Sequence, residues 1–203
     1  MRAVRIRQSI VFIVMTAWLP VAFVVDDVCG AIPANSFCVT DHGAVADGKT
    51  LNTASLQKAI DACAAGGGGT VHFPAGRYLT GTLFLRDRVT LHLDAGSVIL
   101  GSTDLKDYPP RTPAFRSYTD VNYVDKSLIY AERVHDVAIV GRGVIDGQGG
   151  TKGYRKIHPL KVRPYLIRMI ECTNVTLRDV TLRNSPMWVQ HYLGCENVHI
   201  NGV

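Results

Sequence analysis

Cys172-Thr173-Asn174-Val175-Thr176-Leu177 and Cys195-Glu196-Asn197-Val198-His199-Ile200 are two copies of one pattern, set 23 residues apart. They agree at the cysteine, the asparagine, the valine and the closing aliphatic residue. A looser copy runs Arg133-Val134-His135-Asp136-Val137-Ala138-Ile139, and another Arg86-Asp87-Arg88-Val89-Thr90-Leu91, continuing as His92-Leu93. Between the copies lie further alternations, such as Val144-Ile145 and Val180-Thr181-Leu182. A unit this short cannot bury its own apolar face, so successive units must stack on one another. A period in the low twenties, with V-x-[IL] strands and Asn, Asp or Gly at corners, predicts an all-β chain wound as a right-handed parallel β-helix. Leucine-rich repeats share the period, but their L-x-x-L-x-L-x-x-N signature is absent.

Stacking has local consequences. Cys172 and Cys195 fall at equivalent points of adjacent coils, roughly 4.8 Å apart, as an inward-facing thiol ladder or as a disulfide. Asn174 and Asn197 stack at a turn, where asparagine tolerates the left-handed conformation. Thr53 to Ala65 reads as an amphipathic helix, with Leu56, Ala59, Ile60 and Cys63 on one face and Gly66 to Gly69 ending it. A helix placed there caps the open first coil, as the end of a solenoid requires. Strands are expected at Thr70–Phe73, Thr82–Leu85, Val89–Leu93 and Ser97–Leu100.

The 203 residues carry 47% hydrophobic and 19% charged residues with 8% aromatics, which excludes a disordered chain and suits many short strands. Arg2, Arg5 and Arg7 precede an apolar run from Ile10 to Val25, then small residues around Cys29-Gly30-Ala31. This is the plan of a secretory signal peptide. The run is interrupted by Thr16 and Pro20 and is short for a membrane span. The expected organisation is a signal over 1–31, cleaved after Ala31, and one β-helix domain over 32–203, secreted or periplasmic and no longer membrane-bound. Export makes disulfides possible. Cys38 and Cys63 are one candidate pair, closing a loop of about 25 residues and worth about 3 kcal/mol.

The formal charge is +5, and +4 once residues 1–31 are set aside, with no block of like charges. That argues against nucleic acid as a partner and is compatible with an anionic polysaccharide. Gly66-Gly67-Gly68-Gly69 precedes a strand rather than a helix and lacks a Gly-Lys-Ser/Thr, so it is no phosphate cradle. Gly141-Arg142-Gly143-Val144-Ile145-Asp146 lacks the third glycine of a dinucleotide fingerprint. None of the seven histidines sits in an H-x-x-x-H or H-E-x-x-H spacing, so no cofactor or metal is expected.

Several stretches then point to a family. Asp41-His42-Gly43-Ala44-Val45-Ala46-Asp47-Gly48-Lys49-Thr50 resembles the opening x-x-G-A-x-x-D-G-x-T of secreted pectinases and related β-helix proteins. Thr70-Val71-His72-Phe73-Pro74-Ala75-Gly76-Arg77-Tyr78 resembles their next segment. Val144-Ile145-Asp146-Gly147-Gln148-Gly149 is similar to the G-x-I-D-G-x-G of glycoside hydrolase family 28, the polygalacturonases. Arg163-Pro164, then Asn184-Ser185-Pro186-Met187-Trp188 with His191, match that family's R-P and N-S-P-x-W-x-x-H. The resemblance covers residues 37 to 203. One departure is Thr151-Lys152-Gly153-Tyr154, where many members carry a tryptophan pair.

The resemblance implies a cofactor-free glycoside hydrolase that cleaves α-1,4-galacturonosyl links of pectin with inversion, acts on polygalacturonate or rhamnogalacturonan, and is monomeric at full length. The family's N-T-D-G, D-D, G-H-G and R-I-K segments do not occur here, so no catalytic residue is assigned. The chain is expected to stop about one strand before the first catalytic aspartate, truncated at the C-terminal end of the helix and inactive in isolation. An inverting pair needs two carboxylates about 6.5–9.5 Å apart, and Asp146 is instead expected to serve a turn. Trp188 and His191 are the candidate substrate-binding residues, since the family register puts Trp188 one coil below the catalytic aspartate. A tryptophan face suits sugar C–H surfaces, and a histidine can meet a carboxylate. The alternatives are a polysaccharide lyase and a non-catalytic carbohydrate-binding β-helix.

Overall fold

The computed structural model describes residues 35–115, 125–155 and 162–203. The expected signal segment lies outside the described residues. The chain winds through three parallel sheets in turn. The first sheet, A, stacks β1 (Ser36–Cys38), β3 (Gly69–Phe73), β6 (Val89–Leu93), β9 (His135–Gly141), β12 (Thr173–Arg178) and β15 (Glu196–Asn201) in that order. Sheet B stacks β2 (Asp47–Leu51), β4 (Gly76–Thr80), β7 (Ser97–Gly101), β10 (Val144–Asp146) and β13 (Thr181–Arg183). Sheet C stacks β5 (Leu83–Phe84), β8 (Ser127–Glu132), β11 (Tyr165–Ile170) and β14 (Gln190–Leu193). Each full coil therefore runs A, B, C, and every ladder is parallel. This is a parallel β-helix.

Alternation along each strand sends every second side chain into the tube. Because the register is in step from coil to coil, like residues stack. Val71, Leu91, Ile139, Leu177 and Ile200 form one inward column on sheet A, and Tyr78, Ile99, Ile145 and Leu182 another on sheet B. The first four of the sheet A column are buried, and each such side chain contributes about 1.5–3 kcal/mol.

The corner at the start of β6, β9, β12 and β15 explains the repeated polar residue. Arg88, Asp136, Asn174 and Asn197 all take left-handed backbone, with φ of 59°, 56°, 56° and 53°. Asn197 Nδ2 donates to Asn174 Oδ1 at 3.1 Å, and Asn174 Nδ2 donates to Asp136 Oδ1 at 2.8 Å. The amides thus tolerate a conformation that costs other residues about 1–2 kcal/mol, and they also tie the coils together.

The spacing between coils is uneven. Ladder partners lie 20 residues apart at Thr70 and Thr90, then 48 at Thr90 and Ala138, 38 at Ala138 and Thr176, and 23 at Thr176 and His199. Insertions between sheets B and C account for the long coils. Their fastening is shared: the Tyr108 and Tyr154 hydroxyls both donate to the Ser102 carbonyl, at 2.7 and 2.8 Å. Burial raises both phenols, Tyr154 to about 12. Tyr154 is fully buried.

Helix α1 spans Thr53–Ala65 and buries Leu56, Ala59, Ile60 and Cys63, as the sequence predicts. It takes the place of a sheet C strand in the first coil, between β2 and β3, and covers that end of the core. The expected Cys38–Cys63 disulfide is not formed. Cys38 is disulfide-bonded, but Cys63, Cys172 and Cys195 are free thiols. Cys63 belongs to the stripe that α1 presses onto the core, so its thiol is committed to packing. Cys172 and Cys195 realise the thiol ladder rather than a bond: hydrogen bonding to Cys195, then burial, pushes the Cys172 thiol up.

Candidate functional site

Sheet C is buried on both sides along β8 and β11. Its inner face carries Leu83, Ile129 and Ile167. Its outer face carries a second column, Phe84, Tyr130, Arg168 and His191, one residue per coil. Phe84 and Tyr130 meet edge to face with centroids 5.9 Å apart. The segment following β7 lies over part of this face. Arg111 Cζ sits 4.7 Å from the centre of the Phe84 ring, and the Ala114 N–H donates to Glu132 Oε1 at 3.3 Å.

Arg168 interrupts an otherwise apolar strand and is 2% exposed. Its Cζ lies 5.1 Å from the centre of the Tyr165 ring. Burial lowers its pKa, opposed by Tyr165, Tyr130, Asp125 and Glu132, but a guanidinium stays charged in proteins. His191, its ladder neighbour on β14, stacks on Tyr165 with centroids 5.0 Å apart and planes 21° off parallel. The buried Nδ1 of His191 has no hydrogen-bond partner among the described residues. Burial first, and the Arg168 charge second, push His191 below its ordinary 6.5.

The sign of the resulting pH dependence follows from proton counting. With its folded pKa below 6.5, His191 binds fewer protons native than unfolded in that window, so stability rises with pH through it and falls on acidification below about 6.5. Denaturant titrations from pH 5 to 8 are expected to show this slope, and His191→Gln is expected to flatten it.

Trp188 precedes β14 and is 59% exposed. Its carbonyl accepts from the Leu166 N–H at 3.0 Å and from the Ser185 hydroxyl at 2.9 Å. The backbone is thus pinned to the sheet while the indole faces solvent, so Trp188 does not fill the core. His191 lies on the sheet itself rather than at a turn. Both sequence candidates therefore fall at the same rim of sheet C, three residues apart. The sequence reading did not single out Arg168, Tyr165 and Tyr130. The available signal was a single cation within the apolar run Tyr165-Leu166-Ile167-Arg168-Met169-Ile170.

Asp146 ends β10 and accepts three hydrogen bonds, from the Gln148 N–H at 3.0 Å, Arg183 Nε at 2.8 Å and Asn184 Nδ2 at 3.1 Å. A shallow cavity of about 220 Å³ lies beside it, lined also by Arg77, Leu100 and Thr151. Every one of these bonds joins the 146 corner to the next coil or to its own turn. The carboxylate is a structural node on sheet B rather than an acid or base facing the outer column of sheet C.

Comparison with known proteins places this geometry. The profile of the family described as rhamnogalacturonase A/epimerase, pectate lyase-like, matches residues 36–187. A probable polygalacturonase of Vitis vinifera is 35% identical over 182 residues, covering 84% of this chain and 36% of the relative. An exo-poly-alpha-D-galacturonosidase of Dickeya chrysanthemi is 39% identical over 117 residues, covering 55% and 19%. The solved structure of a family 28 exopolygalacturonase from Yersinia enterocolitica superposes with a TM-score of 0.69 at 28% identity, covering 82% of this chain and 38% of that one. The chain therefore spans little more than a third of the first of these relatives and about a fifth of the second.

Proposed function

Because the chain belongs to the rhamnogalacturonase A/epimerase, pectate lyase-like family, we propose that it is the pectin-holding part of a polygalacturonase-type glycoside hydrolase. The polymer lies along the rim of sheet C at β14, with the exposed Trp188 indole stacked on a sugar ring. The observation that carries this reading is the exposed Trp188 beside His191, with the buried cation of Arg168 one strand away. An exposed indole offers an apolar face to sugar C–H groups. A fixed positive charge under a low-dielectric surface favours the carboxylates of galacturonate.

Hydrolysis with inversion, at the α-1,4 links of galacturonan, is the reaction we assign to the whole protein. It requires an acid and a base on opposite sides of the scissile bond. We assign neither role to Asp146, whose oxygens are engaged by Arg183, Asn184 and the Gln148 amide. The described residues then contribute binding and position rather than proton transfer. We also assign the protein to the cell exterior or periplasm, on the charged and apolar pattern of residues 1–31. Among the described residues no helix is long and apolar enough to cross a membrane.

The 203-residue chain mixed with polygalacturonate is expected to release no reducing ends above a protein-free control. Release that persists through purification and disappears in Asp146→Asn would overturn the assignment of Asp146 to structure and of this chain to binding alone.

A further inference from the structure

The sequence repeats a second pattern that the pectinase reading does not use. Thr70-Val71-His72-Phe73 on β3 and Thr90-Leu91-His92-Leu93 on β6 match at Thr, His and the apolar positions, 20 residues apart. The ladder sets His72 directly beside His92. Val71, Phe73, Leu91 and Leu93 are buried in the tube, so alternation directs both imidazoles to the outer face of sheet A. The rings stack with centroids 5.7 Å apart and planes 30° off parallel.

Asp94 follows β6 and is held at the corner into β7. Its N–H donates to the Phe73 carbonyl at 3.1 Å, and its carbonyl accepts from the Ser97 N–H at 2.9 Å. One carboxylate oxygen lies 2.9 Å from His72 Nε2 and the other 3.4 Å from His92 Nδ1. One donor atom from each of the three residues lies within 4.8 Å of the others.

We propose that His72, His92 and Asp94 form a binding site for one divalent transition-metal ion, of the zinc class, on the first two coils. Ligand bonds of about 2.0–2.2 Å in a tetrahedron place neighbouring donors about 3.4 Å apart. The spacing from His92 to its Asp94 oxygen, 3.4 Å, equals that value, the spacing from His72 to the other oxygen, 2.9 Å, is shorter, and one donor from each residue already lies within 4.8 Å of the others. Two nitrogen donors to one oxygen select zinc, nickel or copper over calcium, which takes six to eight oxygens. The site is partly exposed, with side-chain exposures of 15% for His72, 42% for His92 and 37% for Asp94. A metal there clamps β3, β6 and the corner after β6 across two coils. It lies on sheet A, away from the outer column of sheet C, and stands whether or not the chain binds pectin.

The test uses the untagged 203-residue chain freed of metal by chelation, then titrated with zinc chloride by calorimetry. The expected result is one bound equivalent and a raised melting temperature, with calcium chloride giving neither. His92→Gln and Asp94→Asn are each expected to weaken zinc binding about tenfold or more, while melting unchanged without metal. Cys195→Ser is expected to leave binding intact, which separates this site from the thiol pair at Cys172 and Cys195. In wild-type chain, zinc is expected to shift the imidazole proton resonances of His72 and His92 together, a readout that needs no variant. No zinc uptake, or uptake insensitive to both His92→Gln and Asp94→Asn, would overturn the proposal.

Discussion

Gly141→Ala is expected to leave little folded protein, whereas Gly150→Ala, nine residues on, is expected to melt like the wild type. Gly141 has φ of 115°, and a Cβ added there would lie 2.1 Å from the Leu93 carbonyl oxygen and 2.9 Å from its carbon and nitrogen. All of these are backbone atoms of the neighbouring coil, so no side chain can swing aside. The substitution combines a forbidden backbone conformation with overpacking between strands. Each costs about 1–3 kcal/mol, and together about 3–5 kcal/mol, against total stabilities of about 5–15 kcal/mol for native domains. A Cβ at Gly150 meets nothing within 4 Å. The contrast, measured as soluble yield and midpoint of urea denaturation, tests whether coils lie at β-helix spacing. Equal stability of the two variants would contradict the register of β6 against β9.

Asp146→Ala is expected to destabilise the protein by about 2–3 kcal/mol. The carboxylate is nearly buried, with 8% side-chain exposure, while Arg183 is 47% exposed. Arg183 can turn to water, so the full cost of breaking a buried ion pair does not apply. The Gln148 N–H and the Asn184 amide lose their acceptor at a closed corner, and that is where most of the loss arises. Asp146→Asn keeps the shape but presents donors to donors, and is expected to fall about halfway. A melting temperature unchanged in both variants would show that Asp146 is not the node its bonds describe.

The sequence carried the solenoid well because its signal is local. The left-handed corner needs a residue such as Asn174 or Asn197, and the strand after it needs Val-x-Leu or Val-x-Ile. The strand pattern survives in each copy, and the corner keeps Asn or Asp in all but one, where Arg88 takes the left-handed conformation. The length of each coil was less legible, because the insertions between sheets B and C break the period without touching the strands. Strand β4 was missed since Gly76-Arg77-Tyr78-Leu79-Thr80 buries Tyr78 and Thr80 and turns Leu79 outward, so the apolar residues do not mark the alternation. The Cys38–Cys63 pairing failed for a topological reason: α1 replaces a strand and turns Cys63 into the core. Trp188 and His191 were found through the motif that contains them. Arg168 and the histidine pair of β3 and β6 come together only through cross-coil register, which a scan for short metal or catalytic spacings does not test.

The central claim is that the rim of sheet C holds a pectic polymer through Trp188. Affinity electrophoresis in gels containing polygalacturonate measures it directly, with Gly150→Ala as a folded control. Wild type and the control are expected to be retarded equally. Trp188→Ala, which removes an exposed side chain at little cost in stability, is expected to lose about tenfold in affinity, or about 1.4 kcal/mol. Retardation of Trp188→Ala indistinguishable from wild type, or no retardation of the wild type at all, would contradict the account.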